Sequence, residues 1–258
     1  MLAFSCQGRP GAVSEAARHQ PIAERRLTLA GLAPFRGSMR RSLLVPGWVL
    51  AALAAALVAG GAQAVPGPPW RVASRSFRLV ERVSGPVNYY RVLPGPPGHI
   101  RGDYQPGFET AVVGYDVKPW EARATKLNWR WRAIALPRGG DECRAGKGDS
   151  AAVVYVSWKR GLRYYTLKYV WSAIGRRGAV CDKKRNPFLA QDTVILESGA
   201  PLNEWKSVAL SLPAEFRKHF ADGDAKANVP DLFGIGLMSD GDQTASRSSA
   251  DFAEFTLE

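Results

Sequence analysis

The 258-residue chain carries a formal net charge of +12, three cysteines and eight tryptophans. That length suits one domain with a real hydrophobic core, and the sequence shows neither an internal repeat nor a second domain. The basic excess favours anionic partners, and the compartment argued next sets nucleic acid aside.

Residues 1–38 hold scattered arginines and prolines with little periodicity. They read as an extension, either a mis-assigned start or a disordered segment. Met39-Arg-Arg-Ser is basic, Leu43 to Gly60 is apolar and uncharged, and Ala62-Gln63-Ala64 places small residues where a signal peptidase reads. Basic, apolar, then A-x-A is the secretory pattern. Residues 39–64 are therefore expected to be a signal peptide, with the protein periplasmic or secreted and touching a membrane only through that signal. The competing reading is an uncleaved anchor, although Pro46 and the alanine run make a weak span. Losing residues 1–64 removes seven arginines and two glutamates and lowers the net charge to +7. In an exported chain the remaining cysteines, Cys143 and Cys181, are expected to pair as a disulfide. Each sits in what reads as a polar, Gly-rich loop, Gly139 to Cys143 and Arg177 to Cys181, and a bond closing a loop of that length adds about 3–4 kcal/mol.

The domain proper is expected to span 65–258. After a Pro-rich arm at 65–69, Trp70 to Ala73 and Phe77 to Val83 read as extended segments, and Asn88 to Leu93 as a strand. Pro94-Gly-Pro-Pro-Gly98 breaks the chain, and the loop is expected to run to about Gly107. Thr110 to Val117 reads as a strand. From Leu127 the pattern has period two: Leu127, Trp129, Trp131 and Ala133 on one face, Asn128, Arg130 and Arg132 on the other. That is the mark of a half-buried strand. Ala151–Trp158 and Leu162–Trp171 follow, joined by a Gly161 turn as a hairpin. Short strands are expected at Thr193–Glu197 and Trp205–Leu212. Pro213 to Phe220 is the one convincing helix, with Pro in its first turn and Asp222-Gly223 beyond its end. Two strand-like runs around the turn Asp240-Gly241-Asp242-Gln243-Thr244 read as a closing hairpin. Some nine or ten evenly spaced strands with one short helix make an all-β fold, a jelly-roll-like β-sandwich.

Catalysis is poorly signalled. No G-x-S-x-G elbow, H-E-x-x-H or P-loop is present. His99 lies in a Pro-Gly loop with no partner spacing, and His219 reads as a helix residue facing solvent or serving a helix-end charge role. Carboxylate pairs such as Asp141/Glu142 or Asp240/Asp242 would serve a glycosidase if they faced each other across a cleft. Asp240, Asp242 and Thr244 place oxygens at alternate positions, as a calcium loop begins, and Asp251 stands at its twelfth position. Ala245 occupies the position where an EF-hand needs Gly, and the flanks are strands. The expected metal ligands are thus Asp240 and Asp242 with Asp149 from a neighbouring loop, the ion being calcium. The plain alternative is a polar turn. The polar strand faces supply the expected ligand residues Arg130, Arg132, Tyr155, Tyr164 and Lys168, a basic and aromatic set suited to an anionic glycan. The plain alternative there is a solvated sheet face, with Trp129 and Trp131 in the core.

The run Leu127-Asn-Trp-Arg-Trp131, then Gly148-Asp-Ser-Ala-Ala-Val-Val-Tyr-Val156, Tyr169-Val-Trp171, Trp205 and Gly234-Ile-Gly-Leu-Met-Ser-Asp240-Gly-Asp242-Gln-Thr244 resembles a bacterial exported family, domain of unknown function 3047. The resemblance covers nearly all of 70–258. The family often shows a paired Asp where this chain has Asp149-Ser150, and Asn where it has Gln243. The resemblance implies a sandwich related in shape to carbohydrate-binding domains, and it implies no activity. The sequence therefore points to an exported module that binds a glycan or other cell-envelope polymer rather than catalysing. The alternatives are a polysaccharide hydrolase or lyase, and a structural envelope protein without a small ligand.

Overall fold

The computed structural model describes residues 67–80 and 88–258. The extension and signal-peptide readings, residues 1–64, fall outside them. The strands, in chain order, are β1 (Trp70–Val72), β2 (Arg78–Leu79), β3 (Tyr90–Leu93), β4 (His99–Tyr104), β5 (Val113–Asp116), β6 (Lys126–Ala135), β7 (Ser150–Arg160), β8 (Arg163–Ser172), β9 (Val180–Arg185), β10 (Leu189–Ser198) and β11 (Lys206–Ser211). Helix α1 (Leu212–Phe220) follows, then β12 (Asp231–Met238) and β13 (Ser248–Leu257).

These strands form two sheets. The six-stranded sheet runs β11-β6-β13-β4-β3, with β1 also pairing β13. The seven-stranded sheet runs β2-β5-β12-β7-β8-β10-β9. All pairs are antiparallel except β8/β10. The alternation of β6 sends Leu127, Trp129, Trp131 and Ala133 inward, none more than 1% exposed. They meet the inward residues of the other sheet: Trp131 packs on Trp171 with ring centroids 5.9 Å apart, and Trp129 on Tyr169 at 6.0 Å. Truncating a buried Trp of this kind costs about 3–5 kcal/mol, so these rings hold the two layers together. Helix α1 closes one side of the core. Phe216 and Phe220 lie one turn apart and pack against Trp158 and Tyr165. The β7–β8 hairpin turns through Gly161-Leu162, with Gly161 at φ 58°, a left-handed conformation that glycine adopts without steric cost.

Three expectations need correction. The stretch 94–107 is not all loop, because β4 occupies His99–Tyr104 and pairs both β3 and β13. Strand β9 also lies where a loop was expected. The closing hairpin is not a hairpin: β12 pairs β5 and β7 in one sheet, while β13 pairs β1, β4 and β6 in the other. The acidic turn between them is a crossing from layer to layer. Gly234 and Gly236 stand opposite Ser157 and Tyr155 of β7.

Candidate functional site

The crossing turn brings Asp149, Asp240 and Asp242 together, with one carboxylate oxygen from each lying within 4.8 Å of the others. Asp149 sits just before β7, and the other two follow β12. A reciprocal clasp fixes them. The Asp149 carboxylate accepts hydrogen bonds from the backbone N–H of Gln243 (3.2 Å) and Thr244 (2.6 Å), and Gln243 Oε1 accepts one from Gly148 N–H (2.9 Å). Asp240 accepts one from Thr110 Oγ1 at 2.9 Å. Asp149 and Asp240 are buried and Asp242 is exposed, so the cluster opens to solvent through Asp242. Like charges this close and this poorly hydrated do not all ionise freely. Burial, then the Asp242 and Asp149 carboxylates, push Asp240 up to about 7. Burial and Asp149 raise Asp242 as well. Such a trio either retains a proton near neutrality or holds a divalent cation through its oxygens. Asp251 does not belong to it.

Beside the trio stands Glu142, which is 5% exposed. One oxygen accepts a hydrogen bond from Ser150 Oγ, and Oε2 has no partner. Burial raises its pKa. Lys168 is the cation that acts on both Glu142 and Asp240. The Cys143–Cys181 disulfide, with Cα atoms 5.3 Å apart, ties the segment carrying Glu142 to edge strand β9.

The five expected ligand residues divide between opposite faces of the molecule. Tyr155, Tyr164 and Lys168 lie on the outer face of the seven-stranded sheet, and Arg130 and Arg132 on the outer face of the six-stranded sheet. Tyr155 is 2% exposed among Val153, Val170, Ile195 and Met238, so it is not a surface residue. Tyr164 packs against Phe233 beneath the Lys159 ammonium. Lys168 serves the carboxylates. These five residues do not share one surface, because alternation along a strand fixes a side chain's face but not which sheet the strand joins.

The six-stranded sheet's outer face carries an ordered polar group. Asp251, fully buried, accepts from Arg101 Nε and Nη2 (2.7 and 2.8 Å) and from Arg132 Nε (2.8 Å), with His99 Nε2 3.5 Å away. Burial pushes the Asp251 carboxyl up, but the hydrogen bonds from the two guanidinium groups outweigh this and hold it below its usual range. Trp205 is half-buried beside this group, with the guanidinium groups of Arg132 and Arg130 4.7 and 5.4 Å from its ring centre. A groove of ≈ 760 Å³ adjoins it, lined in part by Arg71, Asn128, Arg130, Ser207, Glu254 and Thr256. Glu254 has φ 55° in a bulge of β13. A left-handed conformation costs a non-glycine residue about 1–2 kcal/mol, and here the bulge turns the carboxylate towards Arg130, 3.5 Å away. Sequence reading missed Glu254, since nothing local marks a bulge. It placed Trp205 on a strand without a binding role.

Two further corrections concern histidine. The His219 side chain is 4% exposed rather than solvent-facing, with Nδ1 2.9 Å from Asp192, and His99 Nε2 lies 3.5 Å from the Asp251 carboxylate.

A family model described as "Protein of unknown function (DUF3047)" matches residues 111–256. No curated protein matches the sequence. Among solved structures, the chain is similar to the xyloglucanase domain of NopAA, a type three effector from Sinorhizobium fredii in complex with cellobiose. The identity is 11% and the TM-score 0.41, covering 76% of this chain and 99% of that one. It is also similar to Trichoderma harzianum endoglucanase 3 from family GH12, at 9% identity and TM-score 0.36, covering 72% of this chain and all of that one.

Proposed function

The chain belongs to the family Protein of unknown function (DUF3047), and on that premise we propose that it is a saccharide-binding module whose site is the groove beside Trp205. The observation that carries this is the groove itself. Its volume is ≈ 760 Å³, and it offers guanidinium, amide, hydroxyl and carboxylate groups to a ligand rich in hydroxyls. Arg130 reaches Glu254 through Nη1 at 3.5 Å, and this partly exposed pair is worth little by itself, which leaves the Nη donors free to exchange Glu254 for a ligand. Those donors are available to an acidic sugar, so an anionic glycan or other envelope polymer is the preferred ligand. The Cys143–Cys181 bond supports an oxidising compartment, in keeping with export to the periplasm or medium. Calcium is the ion we assign to Asp149, Asp240 and Asp242.

A glycan array with neutral and acidic oligosaccharides, run with and without calcium, tests this. Binding should weaken at least tenfold in Trp205→Ala, and Arg130→Ala should lose acidic glycans selectively. No binding in either condition would sink the proposal. A second reading, polysaccharide hydrolysis, draws on the raised pKa values of Glu142 and Asp240, which suit a general acid. Release of reducing ends by the native protein but not by Glu142→Gln would favour it.

A further inference from the structure

The acidic cluster lies at one end of the seven-stranded sheet. The opposite end is basic. Four segments meet there: the loop before β6, the β7–β8 turn, the turn before β10, and the loop before β12. Backbone hydrogen bonds connect them, from Leu232 N–H to Ala122 (2.7 Å) and from Tyr164 N–H to Phe188 (2.8 Å), and Asp231 pairs with Lys159. A pocket of ≈ 690 Å³ at this end is lined by Arg123, Lys159, Arg160, Arg217 and Lys226 against a single acid, Asp231. Arg163 stands across the turn from Arg160. Adding Asp222 and Asp224 from the loop that carries Lys226 still leaves the cations in excess.

Among the described residues, none of Lys159, Arg160, Arg163, Arg217 or Lys226 has an ion pair. Arg123 reaches Asp231 only at 3.7 Å, with both side chains largely exposed. Lys159, Arg160 and Arg163 instead lie over Tyr164, Phe233 and Tyr165. The same four segments carry three large exposed hydrophobic side chains: Trp120 (43%), Leu162 (79%) and Phe188 (63%). Exposed apolar side chains set among unpaired cations are costly in water and suited to the headgroup region of a negatively charged bilayer. Tryptophan is the residue type most at home at that depth. No helix of the described residues is long and apolar enough to cross a membrane.

We propose that this end docks on an anionic lipid surface, with the cations meeting lipid phosphates and Trp120, Leu162 and Phe188 entering the interface. It is independent of the saccharide groove, which lies on the other sheet. The test is flotation of the full chain with vesicles of phosphatidylcholine alone or mixed with phosphatidylglycerol. The apolar run at 43–60 is present in every sample, so the readout is the difference between vesicle types and between variants. Binding to the anionic vesicles should be at least tenfold stronger and fall steeply with salt. It should drop at least tenfold in Trp120→Ala/Leu162→Ala/Phe188→Ala, and likewise in Arg160→Gln/Lys226→Gln, with an unchanged thermal midpoint. Equal binding to both vesicle types, or equal binding by the variants, overturns the proposal. So does capture by soluble polyphosphate without vesicle binding, which would make the end a polyanion site instead.

Discussion

At Gly241 the crossing turn passes so close to its neighbours that an added Cβ would meet the Ser246 carbonyl oxygen and, at 2.9 Å, the Tyr104 ring. Backbone does not yield as a flexible side chain does. Gly241→Ala should therefore cost about 1–3 kcal/mol, the range for overpacking, read as a lowered denaturant midpoint. Asp251 offers a second check. Its carboxyl titrates below the usual range in the folded chain, so the stability it adds is complete above the unfolded value of about 3.9 and is lost as pH falls through the folded one. Asp251→Asn should cost about 2–3 kcal/mol at pH 7, because it strands Arg101 and Arg132, and the gap to the native protein should narrow below pH 4. A gap that stayed constant with pH would refute this account. Asp240 and Asp242 were legible from residue type and spacing, and Asp149, expected from a neighbouring loop, does lie beside them. Glu254 and the partners of Asp251 were not, because each depends on pairing between strands more than a hundred residues apart in sequence.

Elements read well where period two was sustained, as in β6 and β8, or where a long apolar run led into a glycine turn, as in β7. They failed where composition argued against a strand. His99–Tyr104 follows Pro-Gly repeats and contains Gly102, yet it forms β4. Any side chain at 102 would crowd Tyr90 and Ser239, so the glycine there serves close packing rather than a turn. Val180–Arg185 is largely polar because β9 is an edge strand with few neighbours to bury it. Its anchoring falls partly to the disulfide, which spans 38 residues of chain. Replacing both cysteines with serine should lower stability by about 3–4 kcal/mol. Hydrogen exchange should show the loss concentrated in β9 and the segment carrying Glu142. Uniform loosening of the whole sandwich would count against that role.

Across the whole molecule, charge is arranged by position. Carboxylates gather where β12 leaves its sheet, cations gather at the other end of the same strands, and the groove lies on the separate outer face of the six-stranded sheet. The sandwich could be read from alternation and spacing, but this polarity could not, since it requires knowing which loops share an end. Strand order has one more consequence. β13 follows every other described strand in sequence and lies in the middle of its sheet, between β6 on one side and β1 with β4 on the other. Until it emerges from the ribosome, that layer has a gap at its centre, with the β11–β6 pair on one side and the β3–β4 pair on the other. The sandwich of a nascent chain therefore stays open until Ser248–Leu257 has been made, and machinery that handles extended polypeptide has that interval in which to engage it.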